Sequence, residues 1–150
     1  MKVLIDTSVW SKVLRAENPD PVLSKLLTDL ILDNRVVLTG PILQEILSGI
    51  RNKKDFQTLE ARLSAFDDLV ISKEIYIKAA EYFNVCKKHG INGGHIDFLI
   101  CAIISHYNCT LLTTDSDFKM FQKHLPIKLL ISAFWLTPSF PCVTILFNVK

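Results

Sequence analysis

The chain lacks the motifs of several large functional classes. It contains no G-x-G-x-x-G, no Walker loop and no G-x-S-x-G, which weakens nucleotide-binding and serine-hydrolase readings. Its four cysteines, Cys86, Cys101, Cys109 and Cys142, form no C-x-x-C pair. Free buried thiols in a reducing compartment are the expectation. His89, His95, His106 and His124 lack a metal spacing such as H-x-x-x-H. An excess of one charge is missing too: 17 Lys and Arg against 15 Asp and Glu leave a formal +2. That permits a nucleic-acid partner without arguing for one. There is no internal repeat and no low-complexity linker. The first residues offer one lysine and then a strand pattern interrupted by Asp6, so no secretory signal is expected and the cytoplasm is the default.

What is present fits one domain with a real core: 150 residues, 49% hydrophobic and 21% charged. Val3-Leu4-Ile5 reads as a short buried strand, with Asp6 at its end and Thr7-Ser8 starting a helix to Arg15. Asp20 caps a second helix, with Pro21 in its first turn and Val22, Leu23, Leu26, Leu27, Leu30 and Ile31 as its apolar face. Val36 to Thr39 is a second strand. Gly40-Pro41 opens a helix from Ile42 to Ile50, with Glu45 beside its apolar stripe. A basic turn at Arg51 to Lys54 leads into a polar helix from Asp55 to Phe66, and Leu69-Val70-Ile71 suggests a minor strand. Lys73 to Lys88 is a long helix stopped at His89-Gly90. Gly93-Gly94 reads as a flexible joint. Ile96 to Tyr107 is apolar all round and should be a central helix. Cys109 to Leu112 and Ile127 to Leu130 are the last strands. Strands alternating with helices predict an α/β sandwich with a mainly parallel sheet.

Of fifteen acidic residues, ten lie in polar turns or on water-facing helix positions. The other five do not. Asp6, Asp115 and Asp117 follow apolar strands, Glu45 borders an apolar stripe, and Asp97 opens the apolar helix. Each has an ordinary explanation: a helix cap for Asp6 or Asp97, an Asx turn for Asp115 or Asp117, a snorkelling side chain for Glu45. Together they are a stronger pattern. Carboxylates gathered from separate segments repel one another unless a cation joins them, and a hard ion such as Mg²⁺ or Mn²⁺ prefers carboxylate oxygen. Such a centre suits hydrolysis of a phosphodiester.

Four stretches carry a resemblance at this point: Val3-Leu4-Ile5-Asp6-Thr7-Ser8-Val9-Trp10, Ile42-Leu43-Gln44-Glu45-Ile46-Leu47, Asp97-Phe98-Leu99-Ile100-Cys101-Ala102, and Leu112-Thr113-Thr114-Asp115-Ser116-Asp117-Phe118. In order and spacing, up to about Leu130, the chain resembles the PIN-domain ribonucleases, and among them the VapC-type toxins of toxin–antitoxin pairs. The resemblance implies a three-layer α/β/α sandwich over residues 1–130. It implies an RNA-cleaving site at Asp6, Glu45, Asp97 and Asp115. Asp6, Asp97 and Asp115 would hold Mg²⁺ or Mn²⁺, Glu45 would orient the attacking water, and Thr7, Ser8, Thr113 and Asp117 would support. It also implies a homodimer and an antitoxin partner. Two other readings share these residues: a PIN-like module that binds RNA or protein without cutting, and an inactive copy with an altered end.

The departure from the family is residues 131–150, an apolar extension with no recognised counterpart. No charged residue occurs from Leu129 to Val149, but Pro138, Ser139, Pro141 and Asn148 interrupt that run and argue against a membrane span. The basic groups Arg51/Lys53/Lys54, Lys87/Lys88 and Lys119/Lys123/Lys128 are expected on solvated faces, and are the first places to seek RNA backbone contacts. Trp10 and Trp135 are expected to pack rather than stack on bases.

Overall fold

A computed structural model describes residues 1–14 and 17–130 of the chain. The expectations for residues 131–150, Trp135 and Cys142 lie outside the described residues, as does the end of the first helix at Arg15.

The centre is β1 (Val3–Ile5), whose three side chains are fully buried. Short apolar runs of this kind are what a strand covered on both faces requires. β1 pairs in parallel with β2 (Val36–Leu38) on one side and β4 (Thr110–Leu112) on the other. β3 (Asp67–Asp68) and β5 (Lys128–Leu129) close the two edges, giving the order β3-β2-β1-β4-β5. Every described pairing is parallel, sharper than the mainly parallel sheet read from sequence.

The connections are helical. β1 leads through α1 (Thr7–Leu14) and α2 (Pro21–Leu32) to β2, and β2 through α3 (Gly40–Leu47) and α4 (Lys53–Leu63) to β3. The chain then recrosses the sheet through α5 (Lys73–Lys88) and α6 (His95–His106) to β4, and reaches β5 through α7 (Asp117–Phe121). Crossovers between parallel strands are right-handed. Moving outward in opposite directions from β1 therefore puts α1–α4 on one face and α5–α7 on the other. The ring contacts agree: Trp10 of α1 meets Phe66 after α4, at 6.0 Å between centroids. On the other face Phe98 of α6 meets Phe83 of α5 at 5.4 Å and Phe121 of α7 at 4.9 Å. The result is the expected three-layer α/β/α sandwich.

Local signals explain most boundaries. Asp20 caps α2 by accepting the N–H groups of Val22 and Leu23. Asn52 does the same for α4, which therefore begins at Lys53, inside the stretch read as a basic turn. α5 stops where Gly90 takes a φ of +72°. In α6 every residue from Phe98 to Ile104 is buried, as its unbroken apolar run demands. Two expectations fail. The minor strand is Asp67–Asp68, not Leu69 to Ile71, because Val37 and Leu38 take Asp67 and Asp68 as partners and only the Leu69 N–H continues the ladder, to Leu38. Gly93-Gly94 is no loose joint either: a Cβ on Gly93 would stand 2.6 Å from the Phe121 ring, and Gly94 caps α6.

Candidate active site

Strand order reverses at β1: the chain first builds outward through β2 and β3, then returns to add β4 and β5 on the other side. The crevice beyond the carboxyl ends of strands at such a reversal is where open α/β sheets bind ligands. Asp6 follows β1 and Thr113 to Asp115 follow β4, so both flank that crevice. The Asp6 N–H donates to the Leu112 carbonyl at 2.9 Å, locking the two strand ends together. Below them Trp10, almost fully buried, donates its Nε1–H to the Ile5 carbonyl at 3.2 Å. It packs, as expected.

Asp6 is 7% exposed, and burying a carboxylate so deeply requires donors. Its Oδ2 accepts from the Ser8 hydroxyl and from Thr113 Oγ1, the latter at 2.7 Å. Both hydroxyls also accept: Ser8 Oγ from the Thr114 N–H at 3.1 Å, Thr113 Oγ1 from the Asp115 N–H at 3.0 Å. A closed lattice of hydroxyls and amides thus fixes one oxygen of Asp6. Helix α1 is started by the Asp6 carbonyl, which takes the N–H groups of Val9 and Trp10.

Asp97 enters from α6, half-buried, in the helix's first turn. Its Oδ2 accepts the Gly94 N–H at 2.7 Å. This is one side of a capping box, since glycine has no side chain to return the bond. Its pKa is raised. Burial is the main cause, the Gly94 N–H opposes it, and the charges of Asp115, Asp6 and Asp117 add to it. The acids after β1 and after β4 are thus close enough for their charges to act on Asp97. Asp115 accepts the Asp117 N–H at 2.9 Å, an Asx turn leading into α7. Glu45 lies in α3, exposed, and its Oε2 accepts the Thr7 hydroxyl at 3.0 Å, tying α3 to the start of α1. Thr7 itself is 8% exposed.

Among the described residues, no three His, Cys, Asp or Glu side chains are gathered as a ready metal cage. Each acid is held instead by its own neighbours: Asp6 by hydroxyls, Asp97 by a helix end, Asp115 by a turn and Glu45 by Thr7. Mg²⁺ does not require a cage, because it keeps several waters among its ligands. The donors are all carboxylate or hydroxyl oxygen, which suits a hard cation. His95 stands apart in chemistry: its ring stacks on Phe83 at 5.2 Å. Gly94 is the residue sequence reasoning missed. Its signal was the three-residue spacing to Asp97, as in a capping box.

Comparison with known proteins agrees with this architecture. The profile of the PIN domain family matches residues 3–123. VapC ribonuclease Mb1587 of Mycobacterium bovis and ribonuclease VapC11 of Mycobacterium tuberculosis are each 27% identical over 125 residues, covering 81% of this chain and 92% of theirs. The VapBC-1 structure from nontypeable Haemophilus influenzae superposes with a TM-score of 0.70 at 18% identity, over 86% of this chain and 96% of that one. The FitAcB structure from Neisseria gonorrhoeae gives 0.66 at 21% identity, over 85% and 95%. With a profile match running from β1 into the loop after α7, the chain belongs to the PIN domain family.

Proposed function

We propose that this protein is a metal-dependent endoribonuclease and the toxin of a toxin–antitoxin pair. The observation that carries the reading is the lattice of hydroxyls and amides that holds Asp6 against the segment after β4, at the switch point of a PIN-domain sheet. The similarity to VapC ribonucleases and to VapBC assemblies supports the substrate class and the partner. The chain thus acts on RNA phosphodiesters and is held in check by a cognate antitoxin, as a homodimer. Among the described residues no helix is long and apolar enough to cross a membrane.

Asp6, Asp97 and Asp115 would hold Mg²⁺ or Mn²⁺, with Asp117 adding charge beside them. Bound there, such an ion polarises a phosphoryl oxygen and lowers the pKa of a water. The chain's own groups do the rest. Ser8 and Thr113 keep Asp6 Oδ2 in place, so that the carboxylate does not turn as substrate enters. Thr7 sets the direction of Glu45, which orients the attacking water and receives its proton. The exposed Arg51, Lys53 and Lys54 are candidates for holding the RNA backbone.

The test is cleavage of a defined RNA by purified protein. We expect activity with Mg²⁺, loss of activity on chelation, and loss in Asp97→Asn. Cleavage that survives both treatments would sink the proposal. Metal-independent RNA binding without cleavage would favour the non-catalytic binding module instead.

A further inference from the structure

We infer that Gly94 is a positioning residue for Asp97, required because it has no side chain. This rests on the metal-site reading above. The backbone at Gly94, φ −74° and ψ 156°, is open to any residue, so conformational freedom is not the reason for glycine here. Core packing is not the reason either, because Gly94 is exposed. Yet a Cβ built on it would stand 3.1 Å from Oδ2 of Asp97 and 3.7 Å from its Cγ. The tight contact involves one carboxylate alone. Gly40, the other glycine at the start of a helix, has open space around its Cβ position.

The same two groups are joined by the 2.7 Å bond from the Gly94 N–H to Oδ2. A bond that short is made only when the carboxylate lies close over the residue 94 backbone. A methyl there displaces the oxygen by a few tenths of an ångström. Gly94 therefore commits one oxygen of Asp97 to the helix end and leaves the other for a cation. A side chain at residue 94 would press on the first oxygen and so shift the second.

Two variants separate positioning from simple capping. Gly94→Ala introduces the Cβ and gives a poorer cap. Gly94→Ser introduces the same Cβ, but its hydroxyl caps the helix well. The probe is Mn²⁺ alone, titrated calorimetrically, with thermal midpoints taken in chelator. Both variants should bind Mn²⁺ on the order of ten-fold more weakly than wild type, as disturbed supporting contacts do at metal sites. Gly94→Ser should do so with a metal-free midpoint no lower than wild type. Wild-type affinity in Gly94→Ser overturns the inference and leaves the metal site standing. A wild type that binds no Mn²⁺ overturns both. A second measurement needs no variant: the Gly94 amide should resist hydrogen exchange equally with and without Mg²⁺. Loss of that protection on adding Mg²⁺ would mean that the ion strips Oδ2 from the helix end, contrary to the inference.

Discussion

Asp97→Asn should make the metal-free protein more stable while abolishing its chemistry. Asp97 carries a raised pKa because burial and three neighbouring acids disfavour its charge. The folded chain then binds a proton there more tightly than the unfolded chain, whose carboxyl keeps its ordinary value of 3.8. The stability from this group is complete below that value and is lost as pH rises through the folded value. At neutral pH the ionised carboxylate is a burden, and the amide removes it. Asparagine keeps an acceptor oxygen for the Gly94 N–H, so the cap survives. Relief of one unfavourable charge stabilises by about 0.5–2 kcal/mol. For a chain of this size each kcal/mol moves the thermal midpoint by about 2–4 °C, so the gain in chelator is about 1–8 °C. Saturating Mg²⁺ reverses the order. At a hundred times its dissociation constant a ligand adds about 2.7 kcal/mol to the form that binds it, here wild type more than the variant. Differential scanning fluorimetry at neutral pH, in chelator and in Mg²⁺, reads both halves. A variant less stable than wild type in chelator would refute the argument about charge. Equal response of both proteins to Mg²⁺ would refute Asp97 as a ligand.

Thr113→Val removes the 2.7 Å bond to Asp6 and the acceptor for the Asp115 N–H while keeping shape. We expect a loss of about 1.5–3 kcal/mol in urea unfolding, and an unchanged midpoint would show that Ser8 alone suffices for Asp6. Cys101 is fully buried, and burial pushes its thiol strongly upward, with the Asp97 charge adding to the effect. Alkylation at pH 8, followed by peptide mapping, should be slower than in guanidinium by at least about 10³-fold at this residue; rapid native labelling would mean that α6 opens locally.

The sequence made α6, β1 and β4 legible because each is an apolar run with no competing pattern. The acids at their ends were legible for the same reason: a charge where burial is expected stands out. β3 was not legible. Asp67 and Asp68 are both exposed, so an edge strand of two residues carries no alternation to read. Leu69 to Ile71 carried the apolar signal without the pairing. The bond between Thr7 and Glu45 was hidden too, since only the packing of α1 against α3 brings residues 38 apart together. Gly93 and Gly94 read as slack because glycine permits freedom. Here it permits close approach instead, to Phe121 in one case and to Asp97 in the other.

β1 precedes the other described strands and sits in the middle of their sheet, and that has a consequence for synthesis. Its end is completed by Thr113, 107 residues later. At about 5–20 residues per second, a ribosome needs roughly 5–20 s to supply that partner after Asp6 has been joined. Throughout that interval the nascent chain holds Asp6, Glu45 and then Asp97 with the Ser8 hydroxyl but without the Thr113 hydroxyl on Asp6 or the strand that flanks it. A chain proposed to cut RNA would thus be unarmed while still on the ribosome that reads its message, and truncated products of the same message should be harmless.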